Sequence, residues 1–124
     1  MPPRPTDAEL SILRVLWSRG PSTVRQVLDA LIEERAMGYT TVLKLLQIMT
    51  EKRLVDRDES DRTHVYRAQL TEAETQRQLL DDLTERAFGG SAMQLVMRAL
   101  SDRKASPAEL AEIRRLLDAH GESR

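Results

Sequence analysis

The chain has 124 residues, with 19 Lys and Arg against 20 Asp and Glu, no cysteine and few aromatics. That length suits one domain, or one small domain with an appendage, and the missing cysteine excludes disulfides and thiolate metal sites. A net charge of −1 withholds the strongly basic footprint usual for nucleic-acid binding.

Capping boxes punctuate the chain. Thr6-x-x-Glu9 opens a first helix carrying Leu10, Leu13, Val15, Leu16 and Trp17, which ends near Gly20-Pro21. Met1 to Pro5, ahead of it, reads as a loose arm, and Trp17 as a core residue. Thr23-x-x-Gln26 opens a second helix whose Val24, Val27, Leu28, Leu31 and Ile32 form an apolar face, expected to end before Gly38. Gly38 is a permitted N-cap for a third helix running to about Arg53.

The third helix is the most informative element. At helical period Val42, Leu45, Leu46 and Met49 share an apolar side, while Thr40, Lys44, Gln47 and Glu51 line the other. Thr, Lys and Gln can donate to base edges in a DNA major groove. After Leu54-Val55 come two alternating stretches, residues 54–57 and 63–67, around a charged, turn-like middle. They predict a two-stranded hairpin that no nearby strand extends and that must lean on helices, because an isolated hairpin is marginal. Val65 is expected to face inward, with His64 and Tyr66 outward. Three helices and such a ribbon make a winged helix-turn-helix, in which the third helix enters the major groove and the wing touches the backbone beside it. Arg62, at the turn, is the preferred phosphate contact. Arg57 and Arg67 stand among Asp56, Asp58, Glu59 and Asp61, which can neutralise them. Lys52 and Arg53 end the third helix, where cations suit the dipole.

Three more helices follow. Thr71-x-x-Glu74 starts a fourth that reaches Phe88 and stops at Gly89-Gly90, and Ser91-x-x-Gln94 starts a fifth. Ser106-Pro107-x-Glu109 starts a sixth, with Gly121 closing it and His120 as a dipole partner near its end. The chain therefore divides into residues 1–70 and 71–124. The first carries 11 Lys and Arg against 10 Asp and Glu, and the second 8 against 10. Residues 71–124 are too few to bury a comfortable core alone. Leu79, Leu80, Leu83 and Phe88, then Met93, Leu95, Val96, Met97 and Leu100, then Leu110, Ile113, Leu116 and Leu117 are nonetheless apolar. The fifth helix is apolar nearly all round, the mark of a buried helix. These residues predict a dimerisation module in which two chains complete one core, with C2 symmetry the commonest arrangement. The other arrangement packs the three helices back on the N-terminal domain.

Tyr39-Thr40-Thr41-Val42 with Leu46 and Lys52, Trp17 at the end of the first helix, the strand Thr63-His64-Val65-Tyr66 and the Gly89-Gly90 break together resemble the penicillinase repressor (BlaI/MecI) family over nearly the whole chain. The resemblance implies a cytoplasmic homodimeric winged-helix repressor that binds a palindromic operator, typically upstream of β-lactamase-type or related resistance or stress genes. It also implies a membrane sensor-protease as the partner that relieves repression. The family's base-reading positions fall on Thr40, Thr41, Leu43, Lys44 and Gln47. Lys44 stands where Thr is frequent, Ile48 where Arg is frequent, and Arg53 where Gly is common. Arg98-Ala99 occupies the place at which relatives are cut at an Asn-Phe pair. Copper-responsive relatives carry C-terminal cysteines, which this chain lacks.

Other classes fit poorly. Two distant histidines, no cysteine, and no glycine-rich phosphate loop, HExxH or serine-nucleophile motif speak against an enzyme, and no cofactor is implied. No signal-peptide-like run and no stretch near the ~20 apolar residues of a membrane span occur, so no direct membrane binding is expected. The competing expectation is a winged-helix module used for protein–protein contact without specific DNA binding, since fold does not fix function.

Overall fold

The computed structural model describes residues 4–122. Six helices flank one hairpin, in the order α1 (Asp7–Arg19), α2 (Val24–Leu31), α3 (Tyr39–Glu51), β1 (Val55–Asp58), β2 (Val65–Ala68), α4 (Glu72–Phe88), α5 (Ala92–Asp102) and α6 (Pro107–Glu122). The chain forms two compact units, Met1–Leu80 and Asp81–Arg124, and α4 runs across the division. The first turns of α4 belong with the first unit, where Thr75 is buried.

Every helix but α3, which starts at Gly38 without a side-chain cap, starts where a hydroxyl can satisfy its orphan N–H groups. The backbone N–H of Glu9 donates to Thr6 Oγ1 at 3.2 Å and the Thr6 N–H donates to Glu9 Oε1 at 2.9 Å. Thr23 with Gln26, Thr71 with Glu74, and Ser106 with Glu109 close the same reciprocal box. Ser91 accepts from Gln94 N–H at 3.2 Å. Gly89 and Gly90 end α4 at φ of 57° and 85°, a left-handed pair that residues with a Cβ adopt only at a cost.

In the first unit one core holds the three helices and the hairpin. Ile12, Leu13 and Leu16 of α1 meet Val27 and Leu31 of α2, and Val42, Leu46 and Met49 of α3, all fully or almost fully buried. Each such side chain contributes about 1.5–3 kcal/mol by leaving water. Leu54, Val55 and Tyr66 carry that core into the hairpin. The strands pair antiparallel with Val55 opposite Ala68 and Asp58 opposite Val65. Trp17 is packed against the core, as expected, and its Nε1–H donates to the Leu70 carbonyl at 3.0 Å.

Several expectations need correction. α2 ends at Leu31, before Gly38 as expected, but Ile32 is 63% exposed instead of lying on the apolar face. Glu33 and Glu34 follow directly, and negative charge at a helix C-terminus opposes the dipole. A turn replaces the helix, with the Glu34 and Arg35 N–H groups donating to the Leu31 carbonyl. The alternation of β2 runs in the opposite phase to that expected: Tyr66 faces inward at 1% exposure, and Val65, opposite Asp58, lies on the other face. The hairpin does gain a third segment: Ser22, between α1 and α2, bridges to Tyr66 through N–H···O bonds of 2.8 and 2.7 Å. That bridge holds β2 beside the segment that follows α1. Pro5 is buried rather than part of a loose arm, of which Met1 to Pro3 lie outside the described residues. Gly121 does not close α6, which continues through it to Glu122.

The second unit contrasts with the first. α5 has no buried residue among those described, although its sequence reads as a buried helix. Met93 is 75% exposed, Met97 61%, and Leu117 64%. Leu79, Phe88, Leu95 and Ile113 are half-buried, and Leu83, Val96, Leu100 and Leu110 are exposed.

One ion pair closes the first unit. Lys52 Nζ, just past α3, lies 2.9 and 3.0 Å from the two carboxylate oxygens of Glu9, whose side chain is 2% exposed. Burial pushes the Glu9 pKa up, but the Thr6 N–H and the Lys52 ammonium outweigh it and leave the carboxyl below its ordinary 4.5. A carboxyl depressed in the folded state stabilises the fold above its unfolded pKa, and that stability is lost as pH falls through the folded value. Melting temperature measured by circular dichroism should therefore drop on acidification below pH 4.5, and less steeply in Glu9→Gln. Lys52→Met should cost on the order of 2 kcal/mol at neutral pH, less than for a fully buried pair because the lysine keeps some water contact.

Candidate nucleic-acid interface

α3 is built to show one face and hide the other. Val42, Leu46 and Met49 are fully buried, which fixes the helix's rotation and turns Thr40, Thr41, Lys44 and Gln47 to solvent. Leu45 and Ile48 are half-buried at the edges. Leu43 is half-buried too and packs against the core beside the wing, so its side chain has less reach than its polar neighbours. Lys44 has no carboxylate partner among the described residues, and its ammonium is free to meet an external acceptor.

The exit from α3 is tightly specified. Leu54 N–H donates to the Met49 carbonyl and Arg53 N–H to the Thr50 carbonyl, the paired bonds of a Schellman cap, with Leu54 and Met49 both buried. Such a cap needs a left-handed residue, and Arg53 fills that place at φ 65°. The arginine at a position where glycine is common therefore shapes the turn into β1, and its side chain is exposed.

The wing neutralises most of its own charge. Arg57 pairs with Glu59 at 2.9 Å and Arg67 with Asp56 at 3.0 Å. Asp58 accepts from the Ser60 hydroxyl at 2.5 Å and from its N–H at 2.9 Å, hydrogen bonds that hold its carboxyl below the usual range. Arg62 at the turn is exposed and has no ion pair among the described residues. The wing thus presents one unpaired guanidinium, at the position expected to meet a phosphate.

Between the start of α2, the start of α3 and the wing lies a groove of about 230 Å³ lined by Thr23, Val24, Arg25, Tyr39, Leu43, Arg62, Thr63, His64 and Tyr66. Sequence reasoning brought Lys44, Gln47 and Arg62 to this side of the unit but missed Arg25 and Tyr39. They lie on different helices with no local spacing to link them. The one signal was the first turn of α2, which holds a basic residue and no acid.

Three helices, an outward-facing third helix and an antiparallel ribbon define a winged helix-turn-helix domain. The model of the penicillinase repressor family matches residues 5–119, and the chain belongs to that family, one of transcriptional repressors and not of enzymes. It is 46% identical over 61 residues to the transcriptional regulator BlaI of Mycobacterium tuberculosis, a match spanning 48% of this chain and 44% of that protein's length. It is 21% identical over 118 residues to the penicillinase repressor of Bacillus licheniformis, across 95% of this chain and 92% of the relative. Its fold is similar to that of Bacillus licheniformis BlaI, solved as a monomer in complex with the blaP half-operator. The TM-score is 0.52 at 22% identity, over 60% of this chain and 90% of that one.

A left-handed arginine costs about 1–2 kcal/mol relative to glycine in the same conformation, partly offset by the greater freedom glycine has when unfolded. Arg53→Gly should therefore raise the unfolding free energy by about 0.5–1 kcal/mol in urea denaturation, where a loss of stability would contradict the cap assignment.

Proposed function

We propose that the chain is a cytoplasmic transcriptional repressor that binds a double-stranded DNA operator, an inverted repeat, through α3 and the wing. The observation that carries this reading is the division of α3 into a fully buried face and an exposed stripe of Thr40, Thr41, Lys44 and Gln47, beside the unpaired Arg62. Base-edge contacts from the stripe would give sequence preference, each discriminating by about 1–3 kcal/mol. Arg62 would hold the backbone and carry no sequence information. Family membership and the likeness to a repressor solved on a half-operator support the same assignment.

One recognition helix reads too few base pairs to select a site in a genome, so two are needed at a fixed spacing. The apolar residues that Asp81–Arg124 leaves exposed or half-buried, with Leu79 of α4, suit that role. Leu79, Leu83 and Phe88, Leu95, Val96 and Leu100, and Leu110, Ile113 and Leu117 would form the shared core of a homodimer. Repression would be occlusion of a promoter, relieved when the dimer weakens. A membrane sensor-protease is the partner that family resemblance suggests. The chain itself has no helix, among the described residues, long and apolar enough to cross a membrane.

A second reading, a winged-helix module for protein contact, is favoured by the net charge of −1 and by the wing's carboxylates, which pair with Arg57 and Arg67. Anisotropy titrations separate the two. Lys44→Ala should weaken binding to the inverted repeat upstream of the chain's own reading frame by about 1–3 kcal/mol and leave mixed-sequence DNA nearly unaffected. Arg62→Ala should weaken both alike and flatten the salt dependence by about 0.9 in log–log slope. Retention of full affinity by both folded variants would favour the protein-contact module. Val96→Asp and Leu117→Asp should sediment as monomers and bind the full operator more weakly than the wild type; a wild type that sediments as a monomer would overturn the pairing.

A further inference from the structure

Cations around α3 are held in two different ways. Carboxylates engage Lys52, Arg57 and Arg67. Arg25 instead lies with its guanidinium carbon 5.5 Å from the centroid of the Tyr39 ring, within cation–π range. It stands in the first turn of α2, where no acid accompanies it, and no ion pair engages it among the described residues. Tyr39 opens α3 and is 45% exposed, so the stack is made at the surface. Both residues line the groove to which the wing contributes Arg62, Thr63 and His64. Two guanidiniums free of carboxylates therefore reach one concavity from separate elements, α2 and the wing, directly beside the exposed stripe of α3.

Resting on the reading of Met1–Leu80 as a duplex-binding domain, we infer that Arg25 is a further DNA-contacting residue and Tyr39 its positioning residue. The groove seats a phosphodiester of the strand that runs past the start of α3. Guanidinium groups donate in a planar fork suited to the non-bridging oxygens of a phosphate. The groove's volume of about 230 Å³ admits a phosphodiester with part of its sugar. Thr23 and Thr63 add hydroxyl groups to the lining, and Leu43 and Val24 add an apolar wall. Stacking on Tyr39 restricts the long arginine side chain before DNA arrives, so less rotamer freedom is lost on binding. The ring face supplies this restraint, not the phenolic hydroxyl. Arg25 and Arg62 would clamp the backbone on one side of α3 and set the depth at which Lys44 and Gln47 meet the bases.

The test uses the full chain and a mixed-sequence duplex of about three helical turns, titrated across a salt series by fluorescence anisotropy. Arg25→Ala should reduce the slope of log affinity against log salt by about 0.9, and Arg25→Lys should restore it. Arg14→Ala removes a cation that lines a different groove, against Glu34, and should leave the slope unchanged. Tyr39→Phe should bind as the wild type does, while Tyr39→Leu should lose roughly two- to fivefold in affinity with the slope retained. Thermal unfolding of each variant checks that the fold survives, and the Arg25 arm stands without the Tyr39 variants. An Arg25→Ala slope equal to that of the wild type overturns the inference and leaves DNA binding itself intact. Absence of any wild-type binding at low salt overturns the DNA-binding reading beneath it. Equal losses in Tyr39→Phe and Tyr39→Leu would remove the positioning role of the ring.

Discussion

The Glu9 carboxylate joins the two ends of the helical arrangement on which the first unit depends. It accepts from the N-cap of α1 and from Lys52 just beyond α3, so one buried group both starts the first helix and anchors the end of the third. A lone carboxylate buried to this extent would be unfavourable; the capping N–H and the ammonium offset the lost hydration. With the far end of α3 tied to α1 and its inner face filled by Val42, Leu46 and Met49, the helix has little freedom to rotate. The outward stripe is thereby presented on a rigid element, which suits recognition better than a loop would.

Electrostatics make the same point at larger scale. A chain with nearly balanced charge can still offer a positive surface if its acids are placed to neutralise particular cations and spare others. Glu9, Glu59 and Asp56 take up Lys52, Arg57 and Arg67, and among the described residues no carboxylate pairs with Arg25, Lys44 or Arg62 around α3. Net charge averages over this arrangement and hides it.

Much of the fold was legible because local rules carried it. The hydroxyl caps marked helix starts, and Gly89-Gly90 marked the end of α4, since each feature depends on residues three or fewer positions apart. The buried face of α3 followed from its 3.6-residue period. What was missed depends on pairs distant in sequence: Ser22 with Tyr66, Glu9 with Lys52, Arg25 with Tyr39. No spacing rule predicts such contacts, and Tyr66 was misjudged because alternation fixes which residues share a face but not which face meets the core. Periodicity also placed Ile32 on the apolar face of α2, whereas the helix ends one residue earlier and leaves it exposed. At the interface, the exposed stripe and Arg62 came from periodicity and turn chemistry, whereas the groove wall from α2 needed three-dimensional packing.

Trp17 bonds to the Leu70 carbonyl, and both tyrosines, Tyr39 and Tyr66, also belong to the first unit, while Asp81–Arg124 has only Phe88 among its aromatics. Intrinsic emission is therefore a private signal of the winged-helix unit, and far-ultraviolet dichroism sums the helices of both. Superimposable denaturation curves from the two probes would mean that the units melt as a single cooperative block; separated curves would give each its own stability.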